Sequence, residues 1–221
     1  MCGRVAITYD ADWLRRRYGT VNPLVNFPPN TNGAPTEDLP VVRLRDGKRH
    51  LDLLRWGLVP PWAKELKIGS RFINARAETV ATQPAFRDAY QRRRCLVPVS
   101  AFYEWKRDGK AKQPYAIGPA QGEALTLAGL WDRWKSPEGH WVVTCAIVTG
   151  PPNAAMAAMH DRMPVILSEA DWPLWLGELD GDVDALLRPC PDDWLKIWPV
   201  SADVNNVRNK GLELLAPTSV T

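Results

Sequence analysis

Period-two alternation of apolar and polar positions recurs along most of the chain, and helical periodicity is confined to short stretches. Val5 to Tyr9, Pro40 to Leu44, His50 to Leu54, Cys95 to Val99, Ala101 to Lys106, Tyr115 to Ile117, Ala124 to Trp131, Trp141 to Thr149, Val165 to Leu167 and Leu195 to Val200 read as strands. Asp46-Gly47 and Asp108-Gly109 are hairpin turns, and Ala101 to Lys106 is expected to continue the sheet of the strand before it. Trp141 to Thr149 is apolar on both faces and therefore predicted to be central. Helices are expected from an Asp10 or Asp12 cap to a stop at Gly19, from Pro84 to Tyr90, from Asn153 to Met159, and around Trp172 to Leu176 and Val183 to Leu187. Residues 20 to 38, rich in Asn and Pro, read as one long loop, a feature that is often functional. With no repeat, linker or low-complexity tract, the pattern predicts one α+β domain over residues 1–221. Its mainly antiparallel strands should curl into a barrel-like sheet with short flanking helices.

Composition narrows the partners. Hydrophobic residues at 45% and charged residues at 24% are ordinary for a globular chain, whereas 11 tryptophans and 20 prolines favour many short strands, with some aromatic surface left for stacking on bases. The net charge of +3 permits an anionic partner without requiring one. Positive charge gathers in Arg15-Arg16-Arg17, in Arg92-Arg93-Arg94, and in Lys106-Arg107 with Lys110 and Lys112, each of which taken alone is a solvated face. Cys2, Cys95, Cys145 and Cys190 have no paired spacing and no apolar leader precedes them, so reduced thiols in a cytoplasmic protein are expected; a monomer is expected as well, though nothing in the sequence sets the oligomeric state. The three histidines do not cluster, which predicts no metal, and nothing calls for a cofactor. The apolar runs are too short to span a membrane.

The chemistry concentrates at the start. Cys2 is small, so Met1 is expected to be removed, leaving a cysteine with a free α-amine and a thiol, whose ordinary pKa values are about 8 and 8.5. Such a pair captures an aldehyde as an imine and closes it into a five-membered ring. Taken alone, Cys2 is more simply a small apolar residue of a strand. Asn74, Arg76 and Glu78 alternate and would line one polar wall of a strand, as an exposed sheet face also would. Glu104, between Tyr103 and Trp105, is a carboxylate in an aromatic strand, where burial would lift its pKa towards that of a working acid and base. His160 sits at a predicted helix end beside Asp161 and Arg162, a setting suited to proton transfer.

These stretches together resemble the SRAP family, the SOS response-associated peptidases, understood as proteins that crosslink to abasic sites in single-stranded DNA. The likeness rests on Met-Cys-Gly-Arg at 1–4, Ala-Pro-Thr at 34–36, Trp-Gly-Leu-Val-Pro at 56–60, Asn-Ala-Arg-Ala-Glu at 74–78, Phe-Tyr-Glu-Trp at 102–105, His-Asp-Arg-Met-Pro at 160–164, and Pro-Val-Ser with Val-Asn-Asn-Val near 199–207. The resemblance implies that Cys2 bonds to the lesion with Asn74, Glu104 and His160 around it. It also implies DNA contacts from Arg4, Asn32, Pro35, Arg76, Thr149 and Arg162; Trp62 and Trp105 are further candidates for stacking on a base beside the gap. Glu37 stands where many members carry Gln, and a carboxylate there would repel phosphate. The short stretch after the last motif makes the chain look bacterial. Two rival functions fit the same residues: a thiol peptidase in which Cys2, Glu104 and His160 cleave a peptide, either a separate substrate or only the protein's own Met1, and a non-catalytic single-strand binding module.

Overall fold

The computed structural model describes residues 2–23, 26–108, 111–122 and 124–219. Met1, Gly109 and Lys110 lie outside these, and with them the expected loss of Met1, the centre of the Asp108-Gly109 turn and part of one basic run.

Five strands close a barrel. β3 (Asp38–Arg45) and β4 (Lys48–Trp56) form the hairpin predicted at Asp46-Gly47, where φ is 50° and 71° as such a two-residue turn requires. β4 runs parallel to β10 (Trp141–Gly150), which pairs antiparallel with β9 (Leu125–Lys135); β9 pairs with β6 (Arg94–Val99), and β6 returns to β3. β10 is central, as its two apolar faces predict, and also holds the short β5 (Asn74–Arg76) and β11 (Met163–Pro164). A second sheet runs in the order β12 (Leu195–Pro199), β8 (Ala111–Pro119), β7 (Ala101–Asp108), β1 (Val5–Ile7), β2 (Asn30–Gly33).

Alternation along the strands builds the two main cores. Leu39, Val41, Cys95, Val97, Leu127, Cys145 and Ile147 of the barrel pack with Cys2 and with Val5, Ile7, Phe102 and Ile117 of the second sheet. Their sequence neighbours Val42, Leu96, Ala128, Ala146 and Val148 face the other way, under the helices α1 (Ala11–Tyr18), α2 (Arg87–Arg92) and α4 (Trp172–Leu176). α1 is capped by Asp10 and ended by Gly19 at φ 65°, as predicted.

Some elements differ from expectation. Asn30–Gly33, expected to be loop, is the strand β2, paired with β1; its polar sequence conceals a strand fixed by tertiary contacts. β6 and β7 do not share a sheet: Ser100 turns the corner, its N–H donating to Ala6 C=O at 2.8 Å and its hydroxyl accepting from Thr8 N–H at 2.9 Å. The helix expected from Pro84 starts at Arg87, Val183 to Leu187 shrinks to a 3-10 turn over Asp184–Leu186, and Val165 to Leu167 is an irregular ribbon bonded to Thr126, Ala128 and Val148. No helix among the described residues is long and apolar enough to cross a membrane.

Candidate functional site

The Trp56-Gly57 corner sets the site. Trp56 is fully buried and its indole Nε1 donates to Ile73 C=O at 2.9 Å, while Leu58 N–H donates to Phe72 C=O at 3.1 Å. Gly57 has φ 124°, and a Cβ there would lie 2.7 Å from Gly69 O, so only glycine lets the two backbones meet. This clamp delivers Asn74 to the edge of β10, opposite Ile147.

Asn74 Nδ2 donates to Cys2 C=O at 2.8 Å, and its Oδ1 is buried with no hydrogen-bond partner among the described residues. Cys2 is itself fully buried, just ahead of β1. β1 pairs with β7 through Val5 and Phe102, and Tyr103 N–H donates to Arg4 C=O at 3.0 Å, so the pairing runs on towards Cys2. Glu104 follows Phe102 on the same face of β7 and is only 4% exposed. Burial pushes its carboxyl above the usual range. Burial also pushes the Cys2 thiol far up, and the neighbouring Glu104 charge adds to this, so the sulfur rests as a neutral thiol.

His160 follows the short helix α3 (Ala154–Ala157), capped by Asn153. Its Nδ1 lies 3.0 Å from Arg162 N–H and 2.8 Å from Asp161 Oδ1. With Nδ1 unprotonated the ring accepts from Arg162 N–H, and with a proton on Nδ1 it donates to Asp161, so the proton's place decides the partner. The Arg162 guanidinium forks onto Glu78, both bonds 2.9 Å, and also donates to Thr149 C=O. Glu78 lies beyond the three residues of β5, and Arg76 is exposed, so the expected polar wall is a strand edge plus a turn.

The remaining predicted residues fall in another group. Arg4 points to the opposite face of the second sheet: its Nη1 donates to Asn32 Oδ1 at 2.6 Å and Val204 C=O at 2.8 Å, and its guanidinium stands 5.7 Å from the centroid of the Trp105 ring. Asn32 is fully buried and its amide donates to the carbonyls of Val204, Asn206 and Asn209. Trp105 Nε1 donates to Asn205 Oδ1 at 2.6 Å. Arg4, Asn32 and Trp105 thus tie the Val-Asn-Asn-Val segment to the sheet, and the face bearing Cys2 and Glu104 is the other one. Pro35 is half-buried beside Thr36, which holds φ 77°, and Trp62 is 58% exposed beyond the Trp56-Gly57 corner. Burial alone would raise the Glu37 carboxyl, but hydrogen bonds from Lys210, Asn30 and Ala34 N–H bring it below the usual range. Lys210 neutralises the charge that seemed out of place in the sequence. Arg71, Phe72 and Gln83, which carry no motif, line a cavity that shares Asn74 and Arg76. Among the described residues no group of three His, Cys, Asp or Glu side chains could hold a metal ion.

A closed five-strand barrel that gathers Cys2, the Asn74 amide, the buried Glu104 carboxyl and the His160 imidazole at one edge defines an α+β domain with one polar candidate site. The chain belongs to the SOS response associated peptidase (SRAP) family, whose sequence profile matches residues 1–207. It is 39% identical over 222 residues to the abasic site processing protein YoqW of Bacillus subtilis (strain 168), covering 97% of this chain and 99% of that protein. To the abasic site processing protein YedK of Escherichia coli (strain K12) it is 30% identical over 230 residues, covering 98% and 100%. A crystal structure of a protein from Bacteroides thetaiotaomicron shares the fold with a TM-score of 0.90 over 99% of this chain and 100% of that one, at 23% identity.

Proposed function

We propose that the protein processes abasic sites in DNA, capturing them in single strands through Cys2 as a covalent thiazolidine adduct. The observation that carries this reading is the Asn74 amide holding the Cys2 carbonyl at 2.8 Å beside a buried carboxyl with a raised pKa. The names of the relatives point the same way.

Once Met1 is gone, the Cys2 amine is the first nucleophile, because burial and Glu104 keep the thiol neutral. His160 passes a proton to the ring oxygen of the closed sugar and takes one from its C1′ hydroxyl, freeing the aldehyde. The amine adds to C1′ and water leaves as the imine forms, with Glu104 donating the proton that makes the oxygen a leaving group. Glu104, now ionised, takes the thiol proton as sulfur bonds to C1′, and the electron pair of the C=N bond settles on nitrogen, which keeps the one proton it carried as the protonated imine. The ring therefore contains both partners less one water. Asn74 Oδ1 accepts from the amine and aims it. Holding amine, thiol and aldehyde together makes both bonds intramolecular, a gain of up to about 7–11 kcal/mol of barrier. Arg76, Thr149 and Arg162 border Asn74 and His160 and are assigned to the strand's backbone; exposed Trp62 offers a stacking surface.

Intact mass spectrometry tests this. The adduct should weigh the strand plus the chain lacking Met1, less one water. A mass that retains Met1, or no shift at all, would overturn the proposal.

A further inference from the structure

Beside the site lies a cavity of about 330 Å³. Phe72 and Phe86 meet edge to face in it, centroids 5.6 Å apart, and give it an apolar wall. Arg71, Arg76 and Gln83 supply polar groups, and Asn74 belongs to both the cavity and the Cys2 cluster. Arg71 ends the 3-10 turn Leu66–Arg71 and, like Arg76, is exposed. Among the described residues neither forms an ion pair, whereas Arg162 is already forked onto Glu78. Arg76 acts on Glu78 through its charge without a direct bond, and Arg71 and Arg76 stand together over the apolar wall of the cavity that Asn74 shares with the Cys2 cluster.

That combination fits one ligand chemistry. Two guanidinium groups and a carboxamide present donors to an acceptor-only, singly charged phosphodiester, and an aromatic wall suits the face of the sugar or base attached to it. We infer that this cavity seats the nucleotide next to the abasic residue in the same strand, with Arg71 and Gln83 on its phosphate and Phe72 against its sugar or base. Since Asn74 lines both compartments, a nucleotide held here fixes where the neighbouring sugar sits relative to Cys2. Arg71 is accordingly a positioning residue, acting through the strand. The inference rests on the proposed capture of abasic strands, and its test keeps the two apart.

Equilibrium binding is read by anisotropy on strands in which a tetrahydrofuran, which has no aldehyde, replaces the abasic sugar. Three strands are compared: one fully charged, and two with a neutral methylphosphonate on one side or the other of the tetrahydrofuran. Arg71→Ala and Gln83→Ala should each weaken binding to the charged strand, Arg71→Ala should flatten its salt dependence by about 0.7 in log–log slope, and both losses should vanish with the methylphosphonate on one particular side. Arg71→Lys, which keeps the charge, should recover the salt slope but not the full affinity. Equal losses on all three strands, or no loss on any, would overturn the inference. Adduct formation by the parent on a true abasic strand is scored separately, so absent chemistry with a side-specific Arg71 effect would sink the capture proposal and leave the nucleotide seat standing.

Discussion

The side-chain amide of Asn74 donates to the backbone carbonyl of Cys2 at 2.8 Å across 72 positions of sequence. The bond reaches the residue through its main chain, so it fixes where the N-terminus is while leaving amine and thiol free to react. Asn74→Ala should slow adduct formation by about 10²-fold, the scale of a misplaced reacting group, with little change in affinity for an unreactive strand. Timed denaturing gels and anisotropy check the two halves; a matching loss in both would make Asn74 a binding residue only.

Glu104 links function to stability. A carboxyl whose folded pKa is raised adds stability that is fully present below its unfolded value, about 4.3, and is lost as pH rises through the folded value. Glutamine cannot ionise and escapes that loss. Glu104→Gln should therefore melt above the parent at pH 8, the gap closing towards pH 4, while capture slows by about 10²–10⁴-fold. Melting curves at the two pH values decide the first part. A variant that melts below the parent at pH 8 would show the carboxylate to be stabilised in its charged form.

Arg162 is shared between Glu78 and the space in front of Thr149. Its hydrogen bonds hold the Glu78 carboxyl below the ordinary range, so this pair contributes above the unfolded pKa and is lost as pH falls through the folded one. Glu78 is half exposed, which keeps that contribution small. Its effect on binding should be larger: Arg162→Ala should lower affinity for single strands and the salt slope by about 0.7, and Glu78→Gln, by releasing the guanidinium, should raise affinity. A salt titration of each variant reads both signs, and a Glu78→Gln protein that binds more weakly would contradict this division.

Much of this was legible in the sequence because local chemistry carries it. Asp10 and Gly19 bound α1, Asp46-Gly47 closes a hairpin, and two apolar faces make β10 central. Family motifs named Cys2, Asn74, Glu104 and His160. What stayed hidden depends on contacts distant in sequence. Nothing in Asn30–Gly33 announces a strand, because β1 supplies its partner. Alternation puts Trp105 on the opposite face from Glu104, but only the packing of residues 201–210 shows that Arg4, Asn32 and Trp105 serve to hold that segment. Arg71 and Gln83 stand in no motif and meet only through the Gly57 corner that brings residues 69–74 against the barrel.

Asn32 is the hub of that second cluster, its amide donating to three carbonyls and accepting from Arg4. Asn32→Ala would strand these groups around a fully buried side-chain position, a loss of about 3 kcal/mol and on the order of 10 °C in melting temperature. Thermal unfolding monitored by circular dichroism checks it; a variant as stable as the parent would mean that water replaces the amide at no cost.

The central claim is tested most directly by incubating untagged protein, its N-terminus verified by mass spectrometry, with a single-stranded oligonucleotide carrying one abasic site, and separating the products on a denaturing gel. The account predicts a slow band that survives heating with the parent chain and is absent with Cys2→Ala. A heat-stable band that persists in Cys2→Ala, or its absence from a parent chain shown to begin at Cys2, would contradict it.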